Sequence, residues 1–170
     1  MIHFFIGKSN TGKSEKAEEL VMTFDASQRL YIATMKVMDE DGKKRVQKHR
    51  KQRAGKGFET LEITIKITET IRMINDPENT VVLLECISNL VGNEMYDNPD
   101  KTVLDEDRFA KEISNDVKLL ADSVAELIVV SSEYEVKEDY SDETLKYIRY
   151  LDRTNEEIKQ IADKVYEIGI

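Results

Sequence analysis

The feature that most restricts what this chain can become is a short stretch near its start, Gly7-Lys8-Ser9-Asn10-Thr11-Gly12-Lys13-Ser14. It is a full match to the phosphate-loop pattern. Gly7 and Gly12 let the main chain curl so that the amides of the loop, through Ser9, Asn10 and Thr11, point at one anion. Lys13 can then reach β- and γ-phosphates, and the Ser14 hydroxyl can ligate Mg²⁺. Lys8 either adds a phosphate contact or faces solvent. The flanks fit the motif: Ile2 to Ile6 is a short apolar run that reads as a buried strand. After the loop, Ala17, Leu20, Val21 and Phe24 fall at helical spacing. A helix starting there turns its positive end to the same anion.

Strand–loop–helix units of this kind need further parallel strands, and the pattern predicts them. Leu30 to Ala33 reads as a second strand, and Asp39 to about Arg53 as a very polar helix ended by Gly55 and Gly57. Ile63, Ile67, Ile71 and Ile74 mark the stripe of a further helix, stopped near Asp76-Pro77. Thr80 to Leu84 is β-branched and apolar throughout, as an interior parallel strand requires. Residues 92–107 read as an acidic connection. Phe109, Ile113, Val117, Leu120 and Val124 predict a helix, and Leu127 to Val130 a strand. A last helix is expected over about Ser141 to Asp163, then an edge strand at Val165 to Ile168. The fold expected is α/β and P-loop NTPase-like, with a mostly parallel central sheet and helices on both faces. At 170 residues with no linker, residues 1–170 form a single nucleotide-binding domain in this reading.

Composition narrows the classes of function. No apolar run nears the ~18 residues of a membrane span, and the single cysteine, Cys86, implies no intramolecular disulfide. The expectation is a cytoplasmic protein without a membrane span. A net charge of −9 argues against nucleic acid as a partner. The positive charge is concentrated: eight basic and no acidic residues lie between Lys43 and Lys56, leaving 17 of the 25 basic residues against all 34 acidic ones. A basic stretch in an acidic protein suits a small anion.

Two further residues carry chemistry. Glu85 directly follows the Val81–Leu84 run, at the strand end where open parallel sheets bind ligands. With Ser14 it forms the candidate metal site, the alternative being a carboxylate that caps the next helix. His49 lies in Arg45-Val46-Gln47-Lys48-His49-Arg50-Lys51-Gln52-Arg53. Cations around an imidazole favour its neutral, nucleophilic form and stabilise charge on an attacked phosphate. Composition alone favours an exposed histidine on a solvated helix.

The chain resembles the bifunctional adenosylcobinamide kinase/adenosylcobinamide-phosphate guanylyltransferase family of cobalamin biosynthesis. The resemblance is carried by Gly7–Ser14, Tyr31-Ile32-Ala33-Thr34, Arg45-Val46-Gln47-Lys48-His49-Arg50, Phe58-Glu59-Thr60-Leu61-Glu62 and Leu83-Leu84-Glu85-Cys86-Ile87. It implies that His49, with Lys13, is catalytic and that His49 becomes guanylylated. It implies nucleotide contacts at Ala33, Thr34, Met35, Arg50, Lys51, Gln52, Arg53, Glu62 and Glu85, beside those of the phosphate loop. Glu62 would suit a guanine edge, since a carboxylate accepts from N1–H and the 2-amino group; a first-turn acid at a helix N-terminus is the plainer role. The implied ligands are GTP or ATP, Mg²⁺ and a corrinoid, and the implied assembly is a homo-oligomer.

The second half departs from the family pattern. Ser131 to Tyr140 keeps a matching Glu133 but lacks the family's glycines and proline, while Leu151-Asp152-Arg153-Thr154-Asn155 keeps Arg153 and Asn155. Two other functions therefore stand beside the family's: a phosphate-loop kinase for another small metabolite without the guanylyl step, and a non-catalytic nucleotide-binding relative.

Overall fold

In a computed structural model, which describes residues 1–169, the chain forms one six-stranded sheet. The strands are β1 (Ile2–Gly7), β2 (Gln28–Ala33), β3 (Phe58–Glu62), β4 (Thr80–Glu85), β5 (Glu126–Ser132) and β6 (Lys164–Ile168). Their order is β3-β2-β4-β5-β1-β6 and every pairing is parallel. The mostly parallel sheet expected from the pattern is thus wholly parallel, with β4 in the interior and β6 at an edge.

The helices are α1 (Lys13–Thr23), α2 (Glu40–Arg53), α3 (Ile87–Asp97), α4 (Glu106–Ser123) and α5 (Asp142–Ile161). Alternation along each strand divides the core in two. Phe4, Ile6, Ile32, Val82, Leu84, Leu127 and Val129 face α3, α4 and α5. Phe5, Tyr31, Val81, Leu83, Ile128 and Val130 face Ala17 and Val21 of α1. Helices on both faces follow from these strands being apolar on both sides. Local signals set the helix starts: Asp39, Asp105 and Ser141 accept from the amides of Gly42, Arg108 and Thr144 at 2.7, 2.9 and 3.2 Å. No helix among the described residues is long and apolar enough to cross a membrane.

Three segments differ from the sequence expectation. The isoleucine stripe does not form an α-helix: Ile63–Lys66 is irregular, Lys66 has φ 57°, and Ile67–Met73 is a 3₁₀-helix. The run Ile-Thr-Ile-Lys-Ile-Thr-Glu-Thr-Ile is β-branched at all positions but Lys66 and Glu69, which crowds an α-helix. Its isoleucines do reach the core, with Ile67 and Ile74 buried and Ile63 and Ile71 packed against them. Phe58–Glu62, read only as a motif segment, is the edge strand β3; half exposed, it carries no apolar run. The acidic connection is shorter than expected, because α3 runs to Asp97 with Ile87, Leu90, Val91 and Met95 buried at helical spacing.

α2 is the odd helix. It buries only Gly42 and Arg53, and none of its apolar side chains joins the core among the described residues. Polar partners hold it instead: Gln52 Nε2 and, just beyond the helix, Lys56 Nζ donate to the fully buried Glu18 Oε2 of α1 at 3.0 and 3.1 Å.

Candidate functional site

The loop between β1 and α1 takes the shape that its glycines permit. Gly12 has φ 82° at the N-cap of α1, and Asn10 is also left-handed at φ 60°. Gly7 is required for another reason. A Cβ there would sit 3.1 Å from the Ile168 carbonyl carbon and nearer still to its oxygen, so β6 closes against it. Lys13 is buried, and its Nζ donates to the Lys8 carbonyl at 2.6 Å; burial pulls its pKa down. Thr11 Oγ1 donates to the same carbonyl at 2.8 Å. Ser9 is exposed in the loop. Lys8 points outward and pairs with Glu135 at 2.5 Å, which raises the lysine pKa and lowers that of the carboxyl.

Ser14 Oγ donates to Glu85 Oε1, across the sheet from loop to strand end. Glu85 Oε2 accepts from the Tyr31 hydroxyl at 2.9 Å. The Tyr31 ring in turn carries the Arg53 guanidinium, 3.5 Å above its centroid. Arg53 is 7% exposed and its Nη1 is buried with no partner among the described residues; the same is true of His49 Nδ1. A hydroxyl and a carboxylate side by side are hard oxygen donors of the kind Mg²⁺ takes together with substrate phosphates, so Ser14 and Glu85 fit that ion.

His49, Arg50, Arg53, Glu62, Glu85, Ala33 and Met35 line one open cleft of ≈ 630 Å³ beyond the ends of β2, β3 and β4. The α2 residues in its wall are Val46, His49, Arg50 and Arg53, the i, i+3, i+4, i+7 stripe of one helix face. Across the mouth, Arg50 Nη2 lies 3.4 Å from Glu62 Oε1. The cleft reaches Glu85, and through Glu85 it reaches Ser14.

Three predicted residues stand apart. Thr34 is fully buried, its Oγ1 donating to the Cys86 carbonyl at 2.8 Å and accepting from the Cys86 amide at 2.9 Å. Gln52 is turned to Glu18, and Lys51 is exposed. Both lie off the cleft stripe, a sorting that helical spacing alone could have made. Tyr31 joins the site as a residue that the sequence does not single out; its position two before Ala33 puts it on a definite face of β2, but nothing in the sequence announces its two partners.

The second half makes a separate cleft of ≈ 380 Å³ on the other side of Lys8, lined by Glu133, Tyr134, Glu135 and Asp152 among others. Asn155 is buried and pins the end of β5, accepting from Ser131 Oγ at 2.7 Å and donating to the Ser132 carbonyl at 3.2 Å. Arg153 is spent on Asp107 and Glu157 at 2.9 and 2.6 Å. The remaining singled-out groups are structural: His3 is buried 3.2 Å from Glu126, and burial pushes the Cys86 thiol pKa up.

Comparison with known proteins places this geometry. The family model for cobinamide kinase / cobinamide phosphate guanyltransferase matches residues 3–169. Two curated relatives carry the name bifunctional adenosylcobalamin biosynthesis protein CobU. The protein of Escherichia coli (strain K12) is 37% identical over 97 residues, covering 57% of this chain and 51% of the relative. That of Salmonella typhimurium (strain LT2) is 33% identical over 96 residues, covering 56% and 51%. The alignments thus span about half the length of these relatives.

Proposed function

This chain belongs to the cobinamide kinase / cobinamide phosphate guanyltransferase family, and from that premise we propose that it runs both reactions of its family at one nucleotide site. In the first, the γ-phosphoryl group of ATP or GTP passes to the aminopropanol hydroxyl of adenosylcobinamide. Lys13 would hold the β- and γ-phosphates beside the loop amides. Mg²⁺, held by Ser14 with Glu85 and the triphosphate oxygens, would neutralise charge developing on them.

In the second reaction a ring nitrogen of His49 attacks the α-phosphorus of GTP. A P–N bond forms, the P–O bond to the β-phosphate breaks, and pyrophosphate leaves. The phosphate of adenosylcobinamide phosphate then attacks the same phosphorus, frees His49 and carries GMP away. A covalent intermediate divides one difficult transfer into two easier ones. Arg50 and Arg53 on the same helix face would stabilise charge on the attacked phosphate, and Glu62 would accept from the guanine edge. Ala33 and Met35 would form the wall against the nucleoside. Several copies of the chain would associate, as the resemblance implies.

The observation that carries this reading is the shared cleft: His49, Arg53, Glu62 and Glu85 surround one space, and Glu85 is bonded to the phosphate-loop serine. The test is labelling with α-³²P-GTP. The expected result is an acid-labile, base-stable label that disappears in His49→Asn, together with phosphorylated corrinoid formed by that variant. Product without any label in the parent chain would leave a kinase alone.

A further inference from the structure

We propose that Tyr31 is a positioning residue for both halves of the site, its hydroxyl aiming Glu85 at Ser14 and its ring holding Arg53 beneath His49's helix face. The inference rests on the nucleotide-site reading above and adds a residue to it.

The argument begins with what Glu85 needs. A carboxylate at a strand end can rotate, and only one of its oxygens can serve Ser14 and an ion beside it. Tyr31 donates to Oε2 at 2.9 Å, which leaves Oε1 on Ser14.

Arg53 has the opposite need. It is nearly buried, lies four residues after His49 on the same face, and is paired with no carboxylate among the described residues. What offsets its charge is the face of Tyr31, 3.5 Å away. A carboxylate in that place would have neutralised the guanidinium. An aromatic face holds it and leaves Nη1 without a partner among the described residues. One side chain of β2 thereby sets a carboxylate on the metal side and a cation on the α-phosphate side, and ties α2, which has no apolar anchor, to the sheet.

The two roles separate by substitution. Tyr31→Phe keeps the ring and loses the hydroxyl; Tyr31→Leu loses both. Calorimetric titration of GTP at a series of Mg²⁺ concentrations reads the first role. In Tyr31→Phe the Mg²⁺ needed for half-maximal enhancement of GTP binding should rise about tenfold, the loss of one hydrogen bond to a charged acceptor. GTP binding without Mg²⁺ should stay the same. Labelling of His49 from α-³²P-GTP at saturating Mg²⁺ reads the second. It should be unchanged within about twofold in Tyr31→Phe and slowed about tenfold or more in Tyr31→Leu.

A merely structural tyrosine would give a different result, since Phe would preserve both readouts. Equal Mg²⁺ dependence in the parent and Tyr31→Phe, or equal labelling in Phe and Leu variants with intact circular dichroism, overturns the proposal and leaves the nucleotide site standing. If Tyr31→Leu fails to fold, Tyr31→His, which keeps a flat ring, should track Phe in labelling, and failure to do so counts against the ring's role. A parent chain that binds no GTP with or without Mg²⁺ refutes the nucleotide site itself, and the role of Tyr31 falls with it.

Discussion

Gly7→Ala is the sharpest test of how the phosphate loop is built into the sheet. The added methyl would lie 3.1 Å from the Ile168 carbonyl carbon and overlap its oxygen, where ordinary contact begins at 3.4 Å. Because both partners are backbone atoms, no side chain can rotate away, and β1 and β6 must part at the Gly7–Ile168 pair. Forcing an extra methyl into a packed site costs about 1–3 kcal/mol. Loss of glycine's freedom in the unfolded chain returns about 0.4–1 kcal/mol. The net is a destabilisation of about 1–2 kcal/mol, or a melting temperature lower by about 2–8 °C for a chain of this size. Differential scanning calorimetry checks it. A second chain ending at Glu167 lacks the offending carbonyl, so the same substitution there should cost less than half as much, as a double-mutant cycle reads it. A melting temperature within 1 °C of the parent, or an equal penalty in the shortened chain, would refute the reasoning.

Other outcomes follow from particular residues. Burial lowers the pKa of Lys13, so the unfolded chain holds that proton more tightly than the folded one. Its contribution to stability is full above pH 10.5 and lost as pH falls through the folded value, so Lys13→Met should stabilise the ligand-free protein at pH 7 while abolishing triphosphate binding. Urea unfolding from pH 7 to 10.5 should show the two chains converging as pH rises; parallel curves would contradict this. Glu94 is fully buried and accepts from the Lys66 amide at 2.7 Å and from Asn98 at 2.5 Å. Glu94→Ala should lower the unfolding free energy by about 3 kcal/mol, seen as a shifted urea midpoint, because it orphans those buried donors and leaves Lys101 with Asp116 as its one carboxylate among the described residues. Glu135→Ala releases Lys8 from an exposed pair and should leave the melting temperature unchanged. It should tighten GTP binding at low ionic strength, with the difference vanishing near 1 M salt, where the Debye length is about 3 Å.

The sequence revealed most where one physical signal dominated. The phosphate loop, β4 and α4 are each set by a local pattern that tertiary context had no reason to override. The isoleucine stripe showed which residues enter the core but misled about helix type, since spacing reports a buried face and not the hydrogen-bond register beneath it. β3 was hidden because an edge strand half open to water needs no apolar run. The positions of Glu85 and Ser14 in their own elements assign both to one candidate metal site, and the fold brings the two side chains into hydrogen-bond contact. Tyr31 was beyond reach, because its meaning lies in two partners 22 and 54 residues away in sequence, Arg53 and Glu85.

α2 has a thermodynamic consequence of its own. A helix with no greasy seam gains little from the expulsion of water, so what fixes it is mainly opposite charges, Arg50 on Glu62 and Lys56 on Glu18, with the Gln52 amide on Glu18 and the Arg53 guanidinium on the Tyr31 ring. A triphosphate competes for the same cations in the same currency. The position of the arm that carries His49 should therefore respond to the anion content of the surrounding solution. Ionic strength should therefore govern the approach of His49 far more than temperature does.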